Sequence, residues 1–377
     1  MRPVGGSGHS AIVRRQFFEL LRSGLQGKSP DAALFSQPVS WEAIYGIASE
    51  QTVVSNVVDG INLLPLELMP TPEELDLFLC DIFVVEQRNH QLNRFIPKLL
   101  SLASGEEVWL VKGQGIGLYH NHPLQRQPGD IDLLMLPETY EKLSPVFLKK
   151  ATKKEETDQY ILQTGIMYGS IEVELHGSVR TLISPSLDRS LDRFLRYSFE
   201  NLPPDVVRIG DADVMVPHPQ FNAFYLFTHI LHHFWTGGVG FRQIVDWALM
   251  LRKEAPRIDT DALRRLLEEN GLMRQWVVFA DLCEVKLGLS GLPLSTGNSS
   301  VWVERLSDDI IRSGNFGKKK PRSRSRSSMS RVKWLLYSFY RLVIRERLSK
   351  FPIFPLDSLR YAFGAFAHSL RRKDRWQ

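Results

Sequence analysis

The sequence predicts an α+β fold, a small mixed β-sheet flanked by a helical N-terminal lobe and a helical C-terminal domain, and three observations predict it. Residues 1–105 carry their apolar side chains at helical spacing. From 106 the pattern turns to short strands with a period of two. It is plainest in Asp130, Ile131, Asp132 and Leu133, and again in Ile171, Glu172, Val173, Glu174, Leu175 and His176. Helical spacing returns at 218 and runs to 312.

In the N-terminal lobe, residues 9–27 have helical spacing and a glycine stop. Ser40 reads as the start of a helix running to 58, and Pro65 and Pro70 break the pattern. Thr71, Pro72, Glu73 and Glu74 are a strong N-terminal signal for a long helix to 102. The segment 106–217 is expected to form the sheet, with strands at 107–112, 130–136, 158–163 and 168–176 and a helix at 138–151. A helix at 185–201 and a short strand pair at 206–209 and 214–216 complete it. In 218–312 an apolar helix at 220–235 carries His229, His232 and His233. Gly237, Gly238 and Gly240 turn the chain into a helix from 241 to 252, with further helical stretches at 259–270 and 271–287. Residues 313–330 are a basic Ser/Arg linker, and 331–377 a basic amphipathic tail with helical spacing at 331–350 and 356–372.

The chain has 377 residues, 43% apolar and 24% charged, values of a globular protein with room for two or three domains. Cys80 and Cys283 are its only cysteines, which points to a reducing compartment without a disulfide framework. No apolar run of 18 uncharged residues occurs, and Arg14, Arg15, Glu19 and Arg22 interrupt the N-terminal region where a leader would be apolar. A cytoplasmic protein is expected. The net charge of +5 hides an asymmetry. Residues 318–377 hold 17 Lys and Arg against 3 Asp and Glu, a net +14, and the rest holds 30 against 39, a net −9. Such a tail suits an anionic partner: a membrane surface, which would make the protein peripheral at the inner membrane face, or a nucleic acid. A tail that packs back on the body is the competing reading.

Asp130 and Asp132 point to one face of their strand, where two carboxylates repel unless something positive lies between them. A hard divalent cation such as Mg²⁺ answers that need and keeps sites open for phosphate. Upstream, Lys112 and the run Gly113, Gln114, Gly115, Ile116, Gly117 form a glycine-rich turn able to approach phosphate closely; Arg126 adds a positive charge. Glu174 would supply a third carboxylate, with Glu172 in reserve on the same strand face and His176 beyond it; a solvated strand edge is the alternative. The three histidines of 220–235 lack an H-E-x-x-H context and read as core or cleft-lining groups rather than zinc ligands. The glycine run lacks the dinucleotide fingerprint, no Walker A sequence occurs, and nothing marks an activated Ser or Cys nucleophile.

Lys112 with Gly113, Arg126, the run from Gly129 through Asp130 and Asp132 to Leu134, and Glu174, Leu175 and His176 together resemble a bacterial nucleotidyltransferase family of the polymerase-β-like superfamily. The resemblance spans 35–290 and leaves out the basic tail. It implies a small mixed-sheet nucleotidyltransferase core flanked by helices, and metal-dependent transfer of a nucleotidyl group from an NTP to a hydroxyl or phosphate acceptor. Asp130, Asp132 and Glu174 would hold Mg²⁺ (or Mn²⁺), with two ions about 4 Å apart, and Glu174 would polarise the acceptor hydroxyl. Lys112, Gly113, Gln114, Arg126 and His176 would line the triphosphate. Relatives of this kind are associated with surface-polysaccharide precursors and modified peptides as acceptors. The chain departs from the superfamily pattern in that Gln114 follows Gly113 and 16 residues separate Gly113 from Asp130. Two other functions compete: a D-x-D transferase using a nucleotide-sugar donor, and a non-catalytic binding protein with the same fold.

Overall fold

The N-terminal helices take their limits from local sequence. The computed structural model describes residues 11–314, 340 and 350–362. Helix α1 (Ala11–Gln26) buries Phe17, Leu20 and Leu21. The single helix expected from 40 to 58 is two, α2 (Trp41–Gln51) and α3 (Val54–Ile61), because Thr52 takes a left-handed φ of 56° between them. Helices α1 and α3 touch backbone to backbone. A Cβ at Gly24 would fall 1.9 Å from the Asn56 carbonyl oxygen, and one at Gly60 would fall 2.0 Å from that of Leu20. Helix α4 (Pro72–Leu100) opens with a reciprocal capping box between Thr71 and Glu74.

The fold is α+β, with a mixed five-stranded sheet. Its strands are β1 (Trp109–Val111), β2 (Ile131–Leu134), β3 (Lys153–Asp158), β4 (Gln163–Tyr168) and β5 (Ile171–His176), in the spatial order β1-β2-β5-β4-β3. Of its four strand pairs only β2 with β5 is parallel. Short helix α5 (Gly113–Gly117) follows β1, and α6 (Pro137–Lys150) follows β2. Three expectations are corrected here. The stretch 158–163 is mostly the connection from β3 to β4, where Leu162 has a φ of 45°. The strand expected over 168–176 is the end of one strand and the whole of the next, because Gly169, with a φ of 62°, turns β4 back into β5. The glycine run 113–117 is helical rather than an open turn.

The period of two sorts the sheet's side chains. Leu110, Ile131, Leu133, Val173 and Leu175 pack with Phe147 of α6 and Leu92, Ile96 and Leu99 of α4 into one core. Trp109, Val111 and Leu134 join a second core shared with most of the helices. These include α7 (Pro185–Asn201), α8 (Pro219–Thr236), α9 (Phe241–Glu254), α10 (Thr260–Glu269), α11 (Met273–Leu287) and α12 (Val301–Ser313). The last was not anticipated as a separate element; Ser300 caps it by accepting from the Val303 N–H. Between α7 and α8 a separate hairpin forms from β6 (Asp205–Ile209) and β7 (Ala212–Val216).

Residues 350–362 pack on the body. Phe354 lies against Phe234, Trp235 and Phe279, and the Lys350 ammonium meets the Asp309 carboxylate. Most of the linker and of the two stretches expected at 331–350 and 356–372 lies outside the described residues. Among the described residues no helix is long and apolar enough to cross a membrane.

Candidate active site

Strand register gathers the acidic residues. In the parallel β2–β5 pair Asp132 lies opposite Glu174 and Leu134 opposite His176, while across the antiparallel β1–β2 pair Val111 lies opposite Asp132. Lys112, the next residue after β1, therefore arrives beside Asp132, its Nζ 2.7 Å from Oδ1. His176 Nε2 sits 2.8 Å from the same Oδ1 and 3.3 Å from Glu174 Oε2. Lys112 and Gly113 both hold positive φ, 55° and 40°, which turns the chain sharply from β1 into α5. A lysine pays for that conformation in steric strain, so the surrounding packing must impose it.

Charge is unevenly shared. The Asp132 charge, then burial, then Glu174 push the Asp130 carboxyl up to about 7. Burial works to raise Asp132 as well, but Lys112 and the His176 hydrogen bond outweigh it and hold that carboxyl well below the ordinary range. Burial likewise opposes the Lys112 charge, and Asp132, Tyr225, Glu174 and Asp130 more than offset it. Lys112 is an ammonium at neutral pH.

These groups form one wall of a cavity of about 270 Å³. Helices α8 and α9 form the opposite wall with Tyr225, His229, His232, His233, Arg242 and Gln243. The histidines line the cleft, as expected. His229 and His233 share a hydrogen bond between their Nε2 atoms at 3.0 Å, and His232 Nδ1 lies 2.5 Å from the Thr181 carbonyl oxygen. Burial pushes His229 and His233 well below the usual imidazole range, so both are neutral.

The structure brings Lys112, Gly113, Arg126, Asp130, Asp132, Glu174 and His176 to this cavity. Gln114 is not in its wall; it is buried, and its Nε2 donates to Asn89 Oδ1 at 3.3 Å. Glu172 is exposed on β5 and also lies outside the wall. Arg126 faces Asp246 in a buried two-pronged pair, Nε to Oδ1 and the NH2 nitrogen to Oδ2, each 2.7 Å, and His120 Nε2 adds a contact to Oδ1 at 2.8 Å. Sequence reasoning missed Tyr225, Arg242 and Asp246, which sit in helices whose pattern spoke only of packing.

Asp246 should matter to stability. Asp246→Asn would strand the buried Arg126 guanidinium and is expected to cost about 3–5 kcal/mol in urea unfolding. Burial opposes the Asp246 charge, yet Arg126 wins and holds the carboxyl well below its ordinary value. A depressed folded-state value means the stabilisation is complete above about pH 4, the unfolded value, and is lost as the pH falls further. Between pH 6 and pH 3 the stability difference between wild type and Asp246→Asn should therefore shrink; a constant difference would refute the ion pair.

A family model described as an uncharacterised nucleotidyltransferase matches residues 37–288. The chain belongs to this family. No curated protein and no solved structure matches it. The matched span of this nucleotidyltransferase contains the whole sheet and every residue of the cavity wall, and ends before α12 and the basic tail. Membership brings a general class of activity, transfer of a nucleotidyl group, with an NTP as donor.

Proposed function

We propose that this nucleotidyltransferase works in the cavity between the sheet and helices α8 and α9, with a divalent cation, Mg²⁺ or Mn²⁺, held by Asp130, Asp132 and Glu174. The observation that carries the reading is a compact donor set on neighbouring strands: one ligand atom from each of Asp132, Glu174 and His176 lies within 4.8 Å of the others, and Asp130 lines the same cavity. Carboxylate oxygens suit a hard cation, and an imidazole beside them suits Mn²⁺ as well. The mutual repulsion that raises Asp130 marks a shortage of positive charge at this spot. Both contacts to Asp132 fall on Oδ1, and Oδ2 is the oxygen we assign to the cation. When bound, the cation supplies charge neutralisation at the transferring phosphoryl group and acidifies an attacking hydroxyl.

The chain's own residues do the rest. Glu174, more open to the cavity than Asp132, would take the proton of the acceptor hydroxyl. His176 fixes the Asp132 carboxylate by its short hydrogen bond. Lys112 and Arg126 would place positive charge beside the triphosphate, and Gly113 would let it approach the backbone. The acceptor would be a hydroxyl or phosphate of a surface-polysaccharide precursor or a modified peptide. The basic residues of 318–377 other than Lys350, which is buried against Asp309, would meet an anionic membrane surface or a nucleic acid, in a cytoplasmic protein peripheral to the membrane.

The test is incubation of the purified protein with Mg²⁺ or Mn²⁺ and each α-labelled NTP in host lysate, with Asp130→Ala/Asp132→Ala as the control. A labelled product formed by the wild type and absent from the control is expected, and its size reports the acceptor class. Absence of transfer with every NTP and both metals would overturn the reading.

A further inference from the structure

The cavity has a second pole that the carboxylates do not use. Arg242 and Gln243 stand in the first turn of α9, and each is only 8% exposed. Two buried guanidinium groups, Arg126 and Arg242, share the neighbouring carboxylate of Asp246, with Asp130 and Asp132 acting on both from further off, and Arg126 takes both Asp246 oxygens. Among the described residues Arg242 makes no ion pair. Its hydrogen bond is from the NH1 nitrogen to the Gln127 carbonyl oxygen at 2.8 Å, and its Nε has no partner. Gln243 uses its Oε1 to accept the Gly240 N–H at 2.8 Å, which leaves its Nε2 donors without a partner. A buried cation without a counter-ion is costly, and unpartnered buried donors add to the cost. Burial, with Arg126 as the neighbour of like charge, pulls the Arg242 guanidinium down to about 10. Both residues line the cavity, where an oxyanion would give Arg242 a counter-ion and offer Gln243 an acceptor.

We infer that Arg242 and Gln243 form the oxyanion-binding end of the cavity, and that the phosphate chain of the nucleotide donor is what they take. The inference rests on the nucleotidyl-transfer reading for the donor's identity, but not for the anion site itself. The donor's phosphates then run from the carboxylate pole toward α9, and the departing phosphates are held by a guanidinium in the helical wall. That wall matters here because Lys112 and Arg126 are already engaged with Asp132 and Asp246. Arginine suits the task, since its planar fork matches phosphate oxygens and it stays charged at neutral pH even where burial pulls it down.

The experiment uses the full chain and inorganic tripolyphosphate, which carries the anion without the nucleoside. Titration calorimetry in excess Mn²⁺ compares wild type with Arg242→Gln, Arg242→Lys and Gln243→Glu. The last keeps the oxygen that accepts from Gly240 and replaces the donor amide with an anionic oxygen. Arg242→Gln and Gln243→Glu are each expected to weaken tripolyphosphate and NTP binding about tenfold or more, with Arg242→Lys in between and binding of the bare nucleoside unchanged. Circular dichroism and thermal melting establish folding, and either variant alone suffices if the other does not fold. The proposal is overturned if the wild type binds no tripolyphosphate, or if folded variants bind it as tightly as the wild type. If Arg242→Gln transfers nucleotide with an unchanged KM for NTP, the anion site falls while nucleotidyl transfer stands. If tripolyphosphate binding depends on Arg242 but no NTP is ever transferred, the anion site stands and the reading of the donor falls.

Discussion

Replacing Glu174 by Gln should lower kcat for nucleotidyl transfer about 1000-fold, while Glu172→Gln should leave it within about twofold. A cation at a transferring phosphoryl group is worth several kcal/mol, and about 4 kcal/mol is three powers of ten in rate. Glutamine keeps the size of Glu174 but removes the charge that would hold the cation and take the proton. The two glutamates share a strand face, so alternation alone does not separate them. Register does: Glu174 lies opposite Asp132 in the parallel pair, whereas Glu172 lies beyond the cavity wall, its partner on β4 being Met167. Steady-state kinetics on the two variants, once an acceptor is in hand, decides the matter. Equal losses, or a greater loss at Glu172, would show that the cation is not held where β2 and β5 meet.

The second large effect concerns stability. Gly60→Ala should destabilise the protein by about 3 kcal/mol or more in urea unfolding. The added methyl would fall 2.0 Å from the Leu20 carbonyl oxygen and 2.7 Å from its carbonyl carbon, backbone atoms that no rotamer change can move away. Helices α1 and α3 would have to separate and open the core they share. Gly46→Ala in α2 is the matched comparison. Nothing lies within 4 Å of the position its Cβ would take, so the better helix propensity of alanine should stabilise by about 0.5–1 kcal/mol. If both variants behave alike, the close crossing of α1 and α3 is not holding the N-terminal helices together.

The fold class and most elements were legible because they rest on local rules. The capping box at Thr71 and Glu74 and the two periodicities are written in neighbouring residues. So is the acidic end of the site: the alternation in β2 and β5 leaves Asp132 and Glu174 on the face away from Ile131, Leu133, Val173 and Leu175. What the sequence does not carry is pairing at a distance. The contact of Asp132 with Glu174 and the parallel sense of β2 and β5 depend on a connection of some 36 residues that includes a helix and two other strands. Arg126 reaches Asp246 across 120 positions, and neither residue has a local pattern that names the other. The β4–β5 hairpin was misplaced for a smaller reason. A single glycine at positive φ turned the chain where the apolar pattern ran on without interruption.

The way residues 350–362 return to α12 has a topological consequence. The chain leaves that helix at Gly314 and comes back to it at Asp309, through Lys350. Departure and return share one helix, so the chain between them is closed into a circuit by noncovalent contacts. Ile353, Phe354 and Tyr361 are buried in the main core, each worth about 1.5–3 kcal/mol by its apolar area, and Arg305 donates to the Pro352 carbonyl oxygen at 2.7 Å. Among the described residues, these side-chain contacts hold the returning piece. After a break within 315–349 the returning piece would be a detachable clasp, its hold on the body set by affinity and concentration instead of by connectivity.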